Sequence, residues 1–92
     1  FNDYDIQMLL ADNYYKRGEY EKATQAYRHA SNMIPCRFMP LLQLLGIYKE
    51  SGNKDMATRY ANEIINKQVK IPSGTVSYIQ NEARIFLNKN GL

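Results

Sequence analysis

Two side chains in this sequence have the chemistry for nucleophilic, redox or metal work, Cys36 and His29, and each is the single residue of its type. A cysteine nucleophile needs a nearby base, a disulfide needs a second cysteine, and a structural zinc site needs four ligands. His29 sits between Arg28 and Ala30 on a helical stretch and has no second ligand or base in the sequence pattern. Cys36 is therefore expected to be a free thiol near a helix–helix junction, and His29 a surface or packing residue. There is no pair of carboxylates in a pocket-forming context, no glycine-rich phosphate loop and no nucleophile–base set. The sequence thus predicts no catalytic residue, no metal and no cofactor.

Composition sets the frame in which any other function must work. Ninety-two residues make one small domain, and 45% hydrophobic with 23% charged residues is a globular balance, not a disordered one. Apolar runs such as Leu41–Leu42 and Leu44–Leu45 fall far short of the roughly 20 residues a bilayer-spanning helix needs. The start, Phe1-Asn2-Asp3-Tyr4-Asp5, has no initiator Met, basic leader or apolar core of a signal peptide, and reads as a piece of a larger protein. Net charge is +3, from 12 basic and 9 acidic residues. The basic residues are spaced among acids and do not line one face. That speaks against a nucleic-acid partner.

The informative pattern is self-similarity at a spacing of 34 residues. Leu10 recurs as Leu44, Tyr14 as Tyr48, Gly18 as Gly52 and Ala23 as Ala57. Leu10 and Tyr14, four apart, are expected on one inner face of a first helix from about Tyr4 to Arg17. Gly18 should end that helix, since glycine tolerates the left-handed conformation past a helix end. A second helix from about Tyr20 to Met33 would pack back, with Ala11 and Ala23 small enough to let the backbones approach. Pro35 marks the corner into the next unit. The third helix should start near Phe38 to Pro40 and stop around Ser51 at Gly52. Asn53 is expected to cap a fourth helix running to about Asn66.

This spacing and these positions resemble the tetratricopeptide repeat (TPR), whose pattern places a Leu, a small residue, a Tyr, then an Ala followed by an aromatic, then a Pro. Repeat 1 covers about 4–37 and repeat 2 about 38–67. Two departures stand out: Leu45 is larger, and Ala61 smaller, than the pattern asks, which would keep the core volume near constant. A connector over 68–74 follows, then a helix over 75–90 with Val76, Ile79, Ala83 and Phe86 on one face. Glu82, 34 beyond Tyr48, breaks the pattern, so this helix is expected to cap the array. The expected fold is all-α: two helix hairpins and a C-terminal cap, a fragment of a right-handed superhelix.

A narrower resemblance rests on the corner Ile34-Pro35-Cys36-Arg37-Phe38-Met39-Pro40-Leu41 and on Ile64 through Ser73. These are similar to the C-terminal TPR tail of bacterial O-antigen ligase and polymerase-type membrane proteins. The resemblance implies a parent protein in surface-polysaccharide assembly, attached to the bacterial inner membrane, whose glycosyl transfer resides in the multi-span part. No catalytic residue carries over to this chain.

The function expected is protein–protein interaction or scaffolding, with a peptide, another protein or another part of the parent chain as partner. First helices of stacked repeats line a concave face. The residues there not claimed by the core are Asp5, Met8, Asp12, Tyr15 and Lys16, then Met39, Leu42, Lys49 and Glu50. Resemblance also argues against binding of chaperone C-terminal tails. The lysine and asparagine positions of that carboxylate clamp correspond to Met8 and Asp12, and an aspartate would repel a carboxylate. A helical-repeat RNA reader takes one base per repeat, so two repeats with Asp5 and Asp12 in the groove make a poor one. The remaining alternative is a spacer with no ligand of its own.

Overall fold

The computed structural model describes residues 2–69 and 72–90. Part of the connector expected over 68–74, namely 70 and 71, lies outside the described residues. Five helices follow in order: α1 (Asp3–Lys16), α2 (Tyr20–Met33), α3 (Met39–Ser51), α4 (Lys54–Asn66) and α5 (Gly74–Lys89). The described residues contain no strand.

Each boundary has a local cause. Asn2 caps α1, its side-chain oxygen accepting from the Asp5 amide at 2.8 Å, and Asp3 and Asp5 set negative charge at the positive end of the helix. Asn53 caps α4 in the same way through the Met56 amide, and Ser73 caps α5 through the Val76 amide. The Ser73 cap makes α5 start at Gly74, one residue before the expected Thr75. Gly18 and Gly52 have φ of 77° and 76°, the left-handed region where a β-carbon is disfavoured. Around them the two turns close alike. Gly18 and Glu19 donate to the carbonyls of Tyr15 and Tyr14, while Gly52 and Asn53 donate to those of Lys49 and Tyr48. This is the paired hydrogen bonding that ends a helix on a glycine. It recurs 34 residues apart.

These turns fold α1 against α2 and α3 against α4. Gln7 meets Ala26, Asp12 meets Tyr27, and Lys22 lies over the Tyr14 ring, so α1 and α2 run antiparallel. In the second pair Tyr48 stacks on Tyr60 with the ring planes nearly parallel, and Lys67 lies over Phe38. Alanines with no exposed surface, Ala11, Ala23, Ala57 and Ala61, sit in the core these pairs form. Leu45 and Ala61, oversized and undersized for the repeat pattern, are both sealed in it. α3 also packs on α2, and α5 packs on α4 and touches α3. The resulting slab measures 37 × 31 × 18 Å. Its thin dimension matches two helix layers, α1, α3 and α5 in one and α2 and α4 in the other.

One expected core position is corrected. Leu10 is 40% exposed, although its repeat partner Leu44 is fully buried. Leu44 lies on a helix that packs against α2, α4 and α5, whereas α1 packs chiefly against α2. Tyr14 faces the core but is only partly buried.

Candidate functional site

The layer formed by α1, α3 and α5 carries two depressions that share Tyr4 and Met39. One, of about 470 Å³, runs along α1 and includes Asp5, Met8, Leu9 and Asp12. The other, of about 630 Å³, lies where the ends of α2, α3 and α5 converge and includes Ile34, Arg37, Phe38, Val76 and Ile79. Both are lined mainly by apolar atoms. Because Met39 borders both and is itself exposed, the two form one strip across the layer.

Of the nine residues expected on the concave face, Asp5, Met8, Asp12 and Met39 line this strip. Tyr15, Lys16, Leu42, Lys49 and Glu50 do not. Several of these instead tie the layer together. The Tyr15 hydroxyl donates to both oxygens of Glu50, at 2.9 and 3.0 Å, linking α1 to α3. Lys49 lies 5.9 Å from the centre of the Phe86 ring, linking α3 to α5. Tyr15 and Leu42 are partly buried against the core, so neither is a free groove residue, and Lys16 is exposed at the end of α1. Met8 also rests on the core while bordering the depression.

Charge is arranged unevenly along the strip. Asp5 and Asp12 lie along the α1 depression, and Arg37 lies 5.5 Å from the centre of the Tyr4 ring, where the two depressions meet. Burial pushes the Tyr4 hydroxyl above its ordinary value, with the Arg37 charge opposing. Asp12 is held from beneath by the Tyr27 hydroxyl. Burial of Tyr27, and then its hydrogen bond to Asp12, push that hydroxyl far above the ordinary tyrosine value. A protonated donor thus fixes the Asp12 carboxylate at the groove margin. The strip offers apolar contact with both acidic and basic side chains at its margin. Such a surface can hold a short polypeptide segment, anchored by apolar side chains and oriented by charge.

Sequence reasoning did not mark Tyr4, Ile34, Arg37, Phe38 or Val76 as part of a site. Their signal was present in the repeat itself. Tyr4 and Phe38 are 34 apart, both buried, and both open onto the strip. Cys36 borders the larger depression and is exposed, and His29 is exposed on α2. Among the described residues, no group of three or more His, Cys, Asp or Glu side chains gathers as metal ligands would. No described helix is long and apolar enough to cross a membrane. No family model, curated protein or solved structure matches the chain.

Proposed function

We propose that this chain is a non-catalytic protein-interaction or scaffolding module of the TPR type, with two repeats and a capping helix, whose inner layer binds a polypeptide segment. The observation that carries the reading is the agreement of environment at a spacing of 34. Ala23 and Ala57 both have no exposed surface, Tyr4 and Phe38 are both buried, Ala30 and Ile64 both have none, and Gly18 and Gly52 share their φ. A sequence period that is also a period of burial and backbone is what a stacked-repeat protein requires. The mainly apolar strip is the natural contact surface of such a unit. The O-antigen ligase-like features of the Pro35 corner and of the run after Ile64 suggest the parent, a membrane protein of surface-polysaccharide assembly. There this module would brace or recruit another chain.

The test is selection of random 12-residue peptides displayed on phage against the immobilised chain. Enriched peptides should share spaced apolar residues and a Lys or Arg. Met39→Glu and Met8→Glu should abolish their binding, and Asp12→Lys should reverse the preference for basic peptides. Failure to enrich any peptide, or equal binding to the Met39→Glu variant, would leave the spacer role as the better reading.

A further inference from the structure

A polar cluster lies outside the strip, at the seam between the two helix hairpins. Arg28 of α2 donates from Nε to the Tyr60 hydroxyl at 3.0 Å and from Nη2 to the Tyr48 hydroxyl at 3.2 Å. The Tyr48 and Tyr60 rings, on α3 and α4, are nearly parallel with centres 5.8 Å apart. Their hydroxyls therefore meet one edge of the guanidinium side by side. Tyr60 is 4% exposed while Arg28 is exposed, so the cluster is fixed at its base and open to solvent. None of the three residues lines either depression.

Donors and acceptors do not balance here. Both hydroxyls accept from Arg28, which leaves each with its own proton to give, and neither donates to another described residue. The guanidinium keeps both Nη1–H groups and the second Nη2–H, the parallel pair of donors at its far end. No carboxylate among the described residues neutralises it, since the ion pairs there join Arg17 and Lys22 to Glu19. The register of α2 offers none either. Three and four residues from Arg28 stand Thr24, Gln25, Ser31 and Asn32, all uncharged.

We propose that Arg28 and Tyr48, with Tyr60 behind them, form a seat for a single carboxylate group supplied by another molecule. The planar fork of Arg28 matches the two oxygens of a carboxylate, and the Tyr48 hydroxyl, beside the same Nη2, adds a further donor. One positive charge balances a carboxylate, whereas a phosphate dianion would be left under-neutralised. Tyr60 is a positioning residue: it holds the Nε edge, and with it the direction of the fork. The carboxylate comes from an acidic side chain of a polypeptide or from a small free acid, and the probes below separate the two. The seat rests on neither the repeat reading nor the groove.

The experiment titrates the isotope-labelled chain with sodium acetate, against sodium chloride at equal ionic strength, and follows the NMR signals of the Arg28 Nε–H and nearby backbone amides. Acetate should give saturating shifts confined to the cluster, and chloride should not. Tyr48→Phe and Arg28→Lys, which keep the ring and the charge, should each weaken acetate at least about tenfold, the scale of a lost hydrogen bond to a charged group. Tyr60→Phe should weaken it too and release the Arg28 Nε–H to fast solvent exchange. Circular dichroism checks that each variant keeps its helices. A capped pentapeptide with one central glutamate that binds at least about tenfold more tightly than acetate assigns the seat to polypeptides; binding no tighter assigns it to small acids. No saturable acetate shift, equal affinity in Tyr48→Phe, or tighter binding of inorganic phosphate would overturn the seat. So would a gain in acetate affinity in Glu63→Gln, which would make Glu63, one turn beyond Tyr60, its occupant.

Discussion

Phe86→Ala tests whether α5 is a structural closure or a tail. Phe86 is 7% exposed, and Ile79 and Ala83 on the same face are 1% and 0%. The Phe86 ring joins the core shared by α3, α4 and α5, with the Lys49 ammonium above it. Truncating a buried Phe to Ala costs about 3–5 kcal/mol, from lost burial and the cavity left behind. A domain of this size has only about 5–14 kcal/mol of total stability. The variant should therefore lose about a fifth of it or more, a Tm fall of more than about 10 °C. Deleting 74–92 removes all three anchors and bares Tyr60 and Ile64, so the shortened chain should aggregate or fail to melt cooperatively. Tyr78→Ala, on the 58% exposed side of the same helix, should stay within about 0.5 kcal/mol. The assay is thermal melting with size-exclusion chromatography. A monomeric deletion variant with an unchanged Tm, or a Phe86→Ala loss no larger than that of Tyr78→Ala, would refute the closing role.

Other outcomes follow from individual positions. Ala23→Leu and Ala57→Leu each add bulk where no surface is exposed and should destabilise by about 1–3 kcal/mol in chemical denaturation. Gly46→Ala and Gly52→Ala should have opposite signs, because a β-carbon meets open space at both but φ is +76° only at Gly52. The first should stabilise by about 0.5–1 kcal/mol as a helix-interior change, and the second destabilise by about 1 kcal/mol. Tyr27 has its pKa raised from 10.0 in the folded state, so its contribution is fully present below that value and is lost as pH rises toward the folded one. Denaturation midpoints should fall above pH 10, less steeply in Tyr27→Phe; an equal slope in the variant would assign the loss elsewhere.

Much of the fold was legible because its signals are local. Gly18, Gly52, Pro35 and Asn53 act through their own backbone or the next turn, and the helices end where those residues place them. The alanines at 11, 23 and 57 were legible for a related reason, since only a small side chain suits a close helix crossing. Leu10 was misread because a sequence shows which faces of a helix are apolar, not which neighbour covers them. Leu10 and Leu44 are the same residue in the same register, yet one is sealed and the other open. Tyr15 was assigned to the groove because the repeat pattern does not claim its position for the core, but a tyrosine can pack its ring and donate its hydroxyl at once. It rests on the core, lies 5.5 Å from Tyr20 ring to ring, and reaches Glu50. The larger half of the strip was missed because it forms where the α2–α3 corner meets Tyr4 of α1 and the start of α5, segments distant from it in sequence.

Site-directed photo-cross-linking in the intact parent protein would show whether the inner layer meets another polypeptide. A photoreactive phenylalanine would replace Met39 in one variant and the exposed Arg59 on α4 in another. A discrete adduct is expected from position 39, with another protein or another segment of the parent, that disappears when Met8→Glu is added, and none from position 59. Equal cross-linking from both positions, or none from position 39 while the parent remains active, would contradict that contact.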